Sequence, residues 1–187
     1  MTAAHKAGVA MYSKGYDTTI RQIQSGMPAK RIRENVERHA NWRRWGGSVN
    51  AHIENAQKAS RDIEDMFEGM QHRLPEMKVY RGLSDVTREA IDKMLATSEV
   101  TFDAVTSTSR SPAIARDFAS ARRHKDRFSV MIVIDQKTGV GIERISKYRS
   151  EQEILMRKGS KLRVKKFEKV LGSRSTPPQL WMHLEEI

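Results

Sequence analysis

Ser150-Glu151-Gln152-Glu153-Ile154-Leu155-Met156-Arg157-Lys158-Gly159-Ser160-Lys161-Leu162-Arg163-Val164 is the stretch whose pattern organises this chain. Two carboxylates separated by one residue run into the apolar Ile154-Leu155-Met156, which predicts a strand from Glu153 to Met156. Lys158-Gly159-Ser160 is a turn signal, so this strand is expected to form a hairpin with a second one over Lys161 to Val170. Side chains two apart on an extended segment point the same way, with α-carbons about 7 Å apart. Glu151 and Glu153 are therefore expected to face one site, with Gln152 and Ile154 on the other side. A solvated edge explains most acidic pairs of this kind. Here the pair stands in a strongly basic chain beside an apolar strand, which makes it a candidate site.

Upstream of this stretch, Phe128 to Ile134 is the clearest strand, and Met77 to Tyr80, Glu99 to Phe102 and Val105 to Ser107 read as shorter ones. Leu180 to Leu184 supplies the last. Ser84 or Asp85 is expected to cap a helix reaching about Ala96, and Ser111-Pro112 to open another over Ala113 to Arg123. Gly139-Val140-Gly141 has neither a third glycine nor a following helix, so it reads as a turn rather than a dinucleotide loop.

Before Pro75 the texture is helical. Ile32, Val36 and Ala40 recur on one face between Pro28 and Trp45. After Gly46-Gly47, Ser48 is an N-cap for a long amphipathic stripe through Val49, Ile53, Ala56, Ser60, Ile63, Met66, Phe67 and Met70, which Leu74-Pro75 closes. The segment up to Gly26 is expected to be helical too, with Gly8 and Gly15 as weak points. The pattern predicts an α+β chain: a helical extension over 1–75 and a strand-rich unit over 76–187.

The 187 residues carry 34 Lys and Arg against 23 Asp and Glu, a formal charge of +11. That surplus suits a nucleic acid or an acidic complex as partner, or simply solubility, because the basic residues are dispersed. With no cysteine, there is neither a disulfide framework nor a thiolate metal site. The longest apolar run, Val130 to Ile134, is far too short to span a bilayer, and a soluble cytoplasmic chain is expected. No Walker loop and no histidine pair at metal spacing occurs, and the six histidines stand singly as surface or core residues.

Three features hold candidate chemistry. Tyr80-Arg81-Gly82 ends a strand with a guanidinium suited to phosphate beside a residue that permits close backbone approach. Thr106-Ser107-Thr108-Ser109 offers four hydroxyls at a strand end. Glu151-Gln152-Glu153 supplies carboxylates. Each alone has an ordinary structural explanation: a surface arginine before a turn, a helix cap, a solvated acidic edge.

In their order along the chain, these features resemble the R-S-E class of mono-ADP-ribosyltransferases, found among bacterial toxins, phage-encoded modifiers of host proteins and vertebrate ecto-enzymes. The resemblance spans roughly Met77 to Ile187 and includes the helix bearing Ala115 and Phe118. It implies two packed antiparallel sheets with flanking helices around a cleft for NAD, consumed as co-substrate without a metal. It further implies that Arg81 binds the NAD phosphates, Gly82 holds the nicotinamide amide through its backbone, and Ser107 orients the catalytic Glu153. Thr108 and Ser109 would shape the pocket. The segment 110–127 would cover it, with Arg110, Arg116, Arg122 or Arg123 on the pyrophosphate. Ser146 to Ser150, with Tyr148, would meet the target. A glutamate at position 151 goes, in this family, with arginine acceptors, so a protein with an exposed arginine is the expected substrate. Two alternatives follow from the same residues: an acceptor that is water or nucleic acid, and a non-enzymatic nucleic-acid-binding module using Trp42, Arg43, Arg44 and Trp45.

Overall fold

A computed structural model describes residues 1–38, 47–69, 74–120, 127–170 and 179–187. The chain opens with helix α1 (Ala3–Met11), a wider π-helical stretch over Tyr12–Tyr16, and helix α2 (Asp17–Gln24). Gly15, at φ +102°, makes the bend between them, a conformation that side-chain-bearing residues rarely adopt. Helix α3 (Ala29–Arg38) buries Ile32 and Val36, one turn apart. Helix α4 (Val49–Gly69) starts where the Ser48 hydroxyl accepts from the Ala51 N–H. Its buried stripe runs through His52, Ala56, Ala59, Ser60, Ile63, Met66 and Phe67, so His52 takes the inward place expected of Ile53. Among the described residues no helix is long and apolar enough to cross a membrane. Trp42, Arg43, Arg44, Trp45 and Met70 lie outside the described residues.

Strand β1 (Met77–Val86) is longer than expected and absorbs Ser84 and Asp85. Helix α5 (Arg88–Ala96) is capped instead by Thr87, whose Oγ1 accepts from the Ala90 N–H. Then come β2 (Glu99–Thr101), β3 (Thr106–Ser109), helix α6 (Pro112–Ser120), β4 (Phe128–Gln136), β5 (Val140–Gly141), β6 (Glu153–Met156), β7 (Lys161–Val170) and β8 (Gln179–Glu186). Val140-Gly141, expected in a turn, forms a short strand paired with β6.

The α+β class holds, with one difference in the sheets. All eight strands join one ladder in the order β2-β7-β8-β4-β1-β3-β6-β5, instead of two separate sheets. Its halves meet between β1 and β3 through the pair Tyr80↔Ser109. One pairing, β4 with β8, is parallel. The expected hairpin of β6 with β7 does not form. β6 pairs with β3 and β5, whereas β7 pairs with β2 and β8. Gly159, at φ +84°, reverses the chain as a turn, but the strands it joins leave for opposite halves of the ladder.

Two large cores explain this arrangement. Val79, Ile91, Val130, Ile132, Ile134, Ile154, Met156 and Leu162 cluster with Met182 and Leu184. The other cluster joins Val9, Tyr12, Tyr16, Ile20, Ile63 and Met66 of the opening helices to Val105, Val140, Ile142 and Leu155 of the strand-rich part. At roughly 25 cal/mol per Å² of apolar surface, burial on this scale is the main force holding helices to sheet. The change of texture near Pro75 is thus a change of secondary structure across which a core is shared. The bond from Val105 N–H to Gln24 Oε1, 2.7 Å, crosses it as well.

Candidate active site

β1 presents Arg81 and Gly82, β3 presents Ser107 to Ser109, and β6 begins at Glu153. β3 and β6 run antiparallel, with Ser109↔Glu153, Thr108↔Ile154 and Ser107↔Leu155 as partners. Ser107 and Glu153 are therefore diagonal neighbours on one face, within side-chain reach. The Ser107 hydroxyl donates to Glu153 Oε1 at 2.6 Å, and Ser146 donates to Oε2 at 3.3 Å. Both carboxylate oxygens are thereby held. Arg81 Nη1 donates to the Ser107 carbonyl at 2.6 Å, tying the guanidinium to the same strand. Thr108, on the opposite face, donates to the Ile154 carbonyl, and Ser109 donates to the Glu151 carbonyl at 2.6 Å.

Glu151 reaches the site differently from the strand alternation expected of it. It ends a 3-10 turn over Arg149–Glu151, and Gln152 follows in the left-handed region at φ 47°. That turn, together with Ser109, aims Glu151 at the cavity that Glu153 also lines. The cavity measures about 500 Å³, within the usual range for small-molecule sites. Arg81, Gly82, Ser107, Thr108, Ser109, Tyr148, Glu151 and Glu153 all line it.

Gly82 has a packing reason of its own. A Cβ there would stand 1.8 Å from the Ala115 carbonyl oxygen and 2.6 Å from the Ala119 nitrogen, so α6 rests directly on its backbone. Ala115, Ala119 and Met131 form the small core that this contact anchors.

The opposite wall comes from the first 25 residues, to which sequence reasoning assigns no part in the site. Tyr12, Lys14, Asp17 and Arg21 all line the cavity. Arg21 Nε is buried with no hydrogen-bond partner among the described residues. Ser146, expected only within a target-facing loop, is a partner of Glu153. A one-turn pattern such as Asp17/Arg21 is too common on helices to have marked these residues. Of the four arginines considered for a pyrophosphate, Arg110 pairs with Glu143 at 3.7 Å outside the cavity, and Arg116 lies over the Trp181 ring at 5.8 Å. Arg122 and Arg123 lie outside the described residues.

Burial raises the Glu153 carboxyl above the usual range, opposed by the Ser107 bond and reinforced by Glu151. Burial also raises Glu151. Arg81 is pushed down to about 10, chiefly by burial and then by the charge of Arg21. Tyr12 is held above its ordinary value by burial and by Asp17 and Glu153. Arg21 and Arg81 thus share one partly dry cleft with Glu151 and Glu153, and Lys14, Asp17 and Lys147 line it as well. It can bind an anion at one end and stabilise a developing cation at the other. Among the described residues no cluster of three or more His, Asp or Glu side chains has the makings of a metal site.

The family profile described as ADP-ribosyltransferase exoenzyme matches residues 10–179, beginning inside the opening helices. No curated protein matches the chain. Among solved structures, the ADP-ribosyltransferase Vis, from Vibrio splendidus and in complex with agmatine, superposes with a TM-score of 0.64 at 20% identity, covering 100% of this chain and 75% of that one. Exoenzyme S from Pseudomonas aeruginosa, in complex with human 14-3-3 protein beta and bound to carba-NAD, gives 0.63 at 17% identity, covering 99% and 74%. An ADP-ribosyltransferase from Clostridium botulinum gives 0.59 at 13% identity, covering 99% and 87%. At such identities these likenesses establish the fold.

Proposed function

The chain belongs to the ADP-ribosyltransferase exoenzyme family, and on that premise we propose that it transfers ADP-ribose from NAD to an arginine side chain of a protein, releasing nicotinamide. The observation that carries this reading is the doubly held carboxylate of Glu153, in one cleft with Arg81 and Glu151.

In this reading the pyrophosphate lies against Arg81 and Arg21, whose proximity to each other is unfavourable until an anion joins them. Cleaving the nicotinamide–ribose bond builds positive charge on the ribose, as in glycoside hydrolysis. Glu153, held by Ser107 and Ser146, stabilises that charge most where it is greatest, at the transition state. Nicotinamide departs as a neutral molecule, so its departure needs no general acid. Gly82, Thr108 and Ser109 shape the nicotinamide end, and Tyr148, exposed at the rim, meets the target.

Glu151 serves the acceptor. Removing a proton from a free guanidinium at pH 7 costs on the order of 8 kcal/mol, so deprotonation ahead of attack is unfavourable. A neighbouring carboxylate instead orients the guanidinium and takes the proton as the new C–N bond forms. Agmatine, the guanidine compound in the Vis complex, and the carba-NAD in the exoenzyme S complex are consistent with these two substrate ends.

Labelled NAD, agmatine and an arginine-rich protein test the reading. Glu153→Ala is expected to abolish both nicotinamide release and transfer. Glu151→Gln is expected to abolish transfer and leave nicotinamide release within a few-fold. Product analysis distinguishes a modified protein from free ADP-ribose or a modified polynucleotide. Transfer undiminished in Glu153→Ala would reject the role given to that carboxylate.

A further inference from the structure

We propose that the depression lined by Arg110, Glu143, Arg144, Arg149 and Gln152 is a docking surface for acidic side chains flanking the modified arginine of the protein target. The inference rests on the arginine-directed reading above and narrows its substrate class.

The depression is open, about 740 Å³, and lies outside the catalytic cleft, across the turn that carries Glu151. That turn serves both sides. Glu151 lines the cleft, while Arg149 and Gln152 line the depression. The left-handed backbone at Gln152 produces the divergence, and the Arg110 N–H holds it by donating to the Gln152 carbonyl at 3.2 Å. A polypeptide whose arginine enters toward Glu151 therefore runs its neighbouring residues, about 3.3 Å apart when extended, past the depression.

Charge decides what those neighbours should be. Three guanidiniums face one carboxylate, Glu143, and the Arg110–Glu143 contact is a long 3.7 Å. Arg110 Nε is buried with no hydrogen-bond partner among the described residues. A planar guanidinium fork suits carboxylates, and several together favour a substrate carrying more than one. A polynucleotide would want an extended basic track with stacking aromatics. This depression contains Glu143 and has no aromatic lining among the described residues.

Three fluorescein-labelled peptides test the proposal, each with a single arginine flanked by aspartates, by serines or by lysines. Binding is measured by anisotropy at low and at physiological salt, for the unmodified protein, Arg144→Glu and Arg144→Lys. The aspartate peptide is expected to bind about tenfold more tightly than the lysine peptide, a preference that shrinks as salt rises. Arg144→Glu should erase or invert it, and Arg144→Lys should keep most of it. Equal binding of the three peptides, or a preference untouched in Arg144→Glu, overturns the proposal. So does displacement of the aspartate peptide by a thymidine oligonucleotide at lower concentration than by unlabelled peptide, which would make the depression a nucleic-acid contact. Transfer from NAD to agmatine, assayed on the same preparations, tests the underlying reading separately. Agmatine modification without peptide preference rejects the docking surface alone. Peptide preference without agmatine modification leaves a surface that binds acidic peptides but rejects the arginine-directed chemistry, and with it the place of that surface beside a modified arginine.

Discussion

Ser107 Oγ stands 2.6 Å from Glu153 Oε1 although the strand register pairs Ser107 with Leu155 and Glu153 with Ser109. The bond runs diagonally across the ladder, so it depends on the β3–β6 register and on both side chains pointing to one face. Slipping the register by one residue would turn Glu153 away from the cleft.

Removing that hydroxyl gives the first prediction. A hydrogen bond to a charged group contributes about 1.5–3 kcal/mol, so Ser107→Ala should lower kcat for nicotinamide release by about ten- to hundredfold. Because the bond lowers the Glu153 pKa, its loss should move the acidic limb of the pH–rate profile to higher pH. A profile lowered uniformly with an unmoved limb would argue against the assignment.

Glu153 should also limit stability. Its folded pKa lies above its unfolded one, so between those values the folded state binds more protons and stability falls as pH rises. Above that window the cost of burying the charge is fully present. Glu153→Gln is therefore expected to unfold later than the unmodified protein at pH 7, by about 1 kcal/mol, the usual scale for relieving a strained active-site group. The gain should vanish below the ordinary carboxylate range. Urea titrations at pH 3 and pH 7 would measure both.

At Gly82 the consequence is mechanical. The close approach of the Ala115 carbonyl leaves no room for a methyl group, so Gly82→Ala must push α6 off β1. A cost of about 2–3 kcal/mol is expected, read as a lower midpoint in thermal or denaturant unfolding.

A fourth prediction concerns the packing between the opening helices and α4. His52 on α4 stacks on Tyr16 at 4.3 Å between ring centroids, and its Nε2 lies 3.1 Å from Thr19 Oγ1. Burial lowers its pKa. The unfolded state then binds the proton first, so stability should fall as pH drops through the ordinary histidine value and below, at no more than about 1.4 kcal/mol per pH unit. In His52→Gln that component should be missing from a series of urea titrations between pH 7 and pH 5. An identical pH dependence in the two proteins would show that His52 does not carry it.

Element types were largely legible from the chain. Ile32 and Val36 at helical spacing, the apolar run at 128–134 and the Ser111-Pro112 start are local signals, and local steric preference is enough to read them. The three motifs were legible as motifs too. The failures are informative because they share a cause. Lys158-Gly159-Ser160 does reverse the chain, but a turn signal does not reveal which strand lies beyond it. Ser84 and Asp85 look like caps until the long pairing of β1 with β4 draws them into a strand. Strand alternation predicts that Glu151 and Glu153 share a face, and they share a cavity through a 3-10 turn instead.

From the order of residues alone came the α+β class, the carboxylate–hydroxyl–arginine set and the family resemblance, because periodicity and motif order are properties of the chain itself. Only the tertiary structure decided that Tyr12, Asp17 and Arg21 wall the cleft, that Ser146 holds the second oxygen of Glu153, and that β6 and β7 part company. Those outcomes depend on burying Val9, Tyr16 and Ile20 against Val140 and Leu155. Contacts between segments so far apart along the chain are selected by the whole core, and no local pattern encodes them.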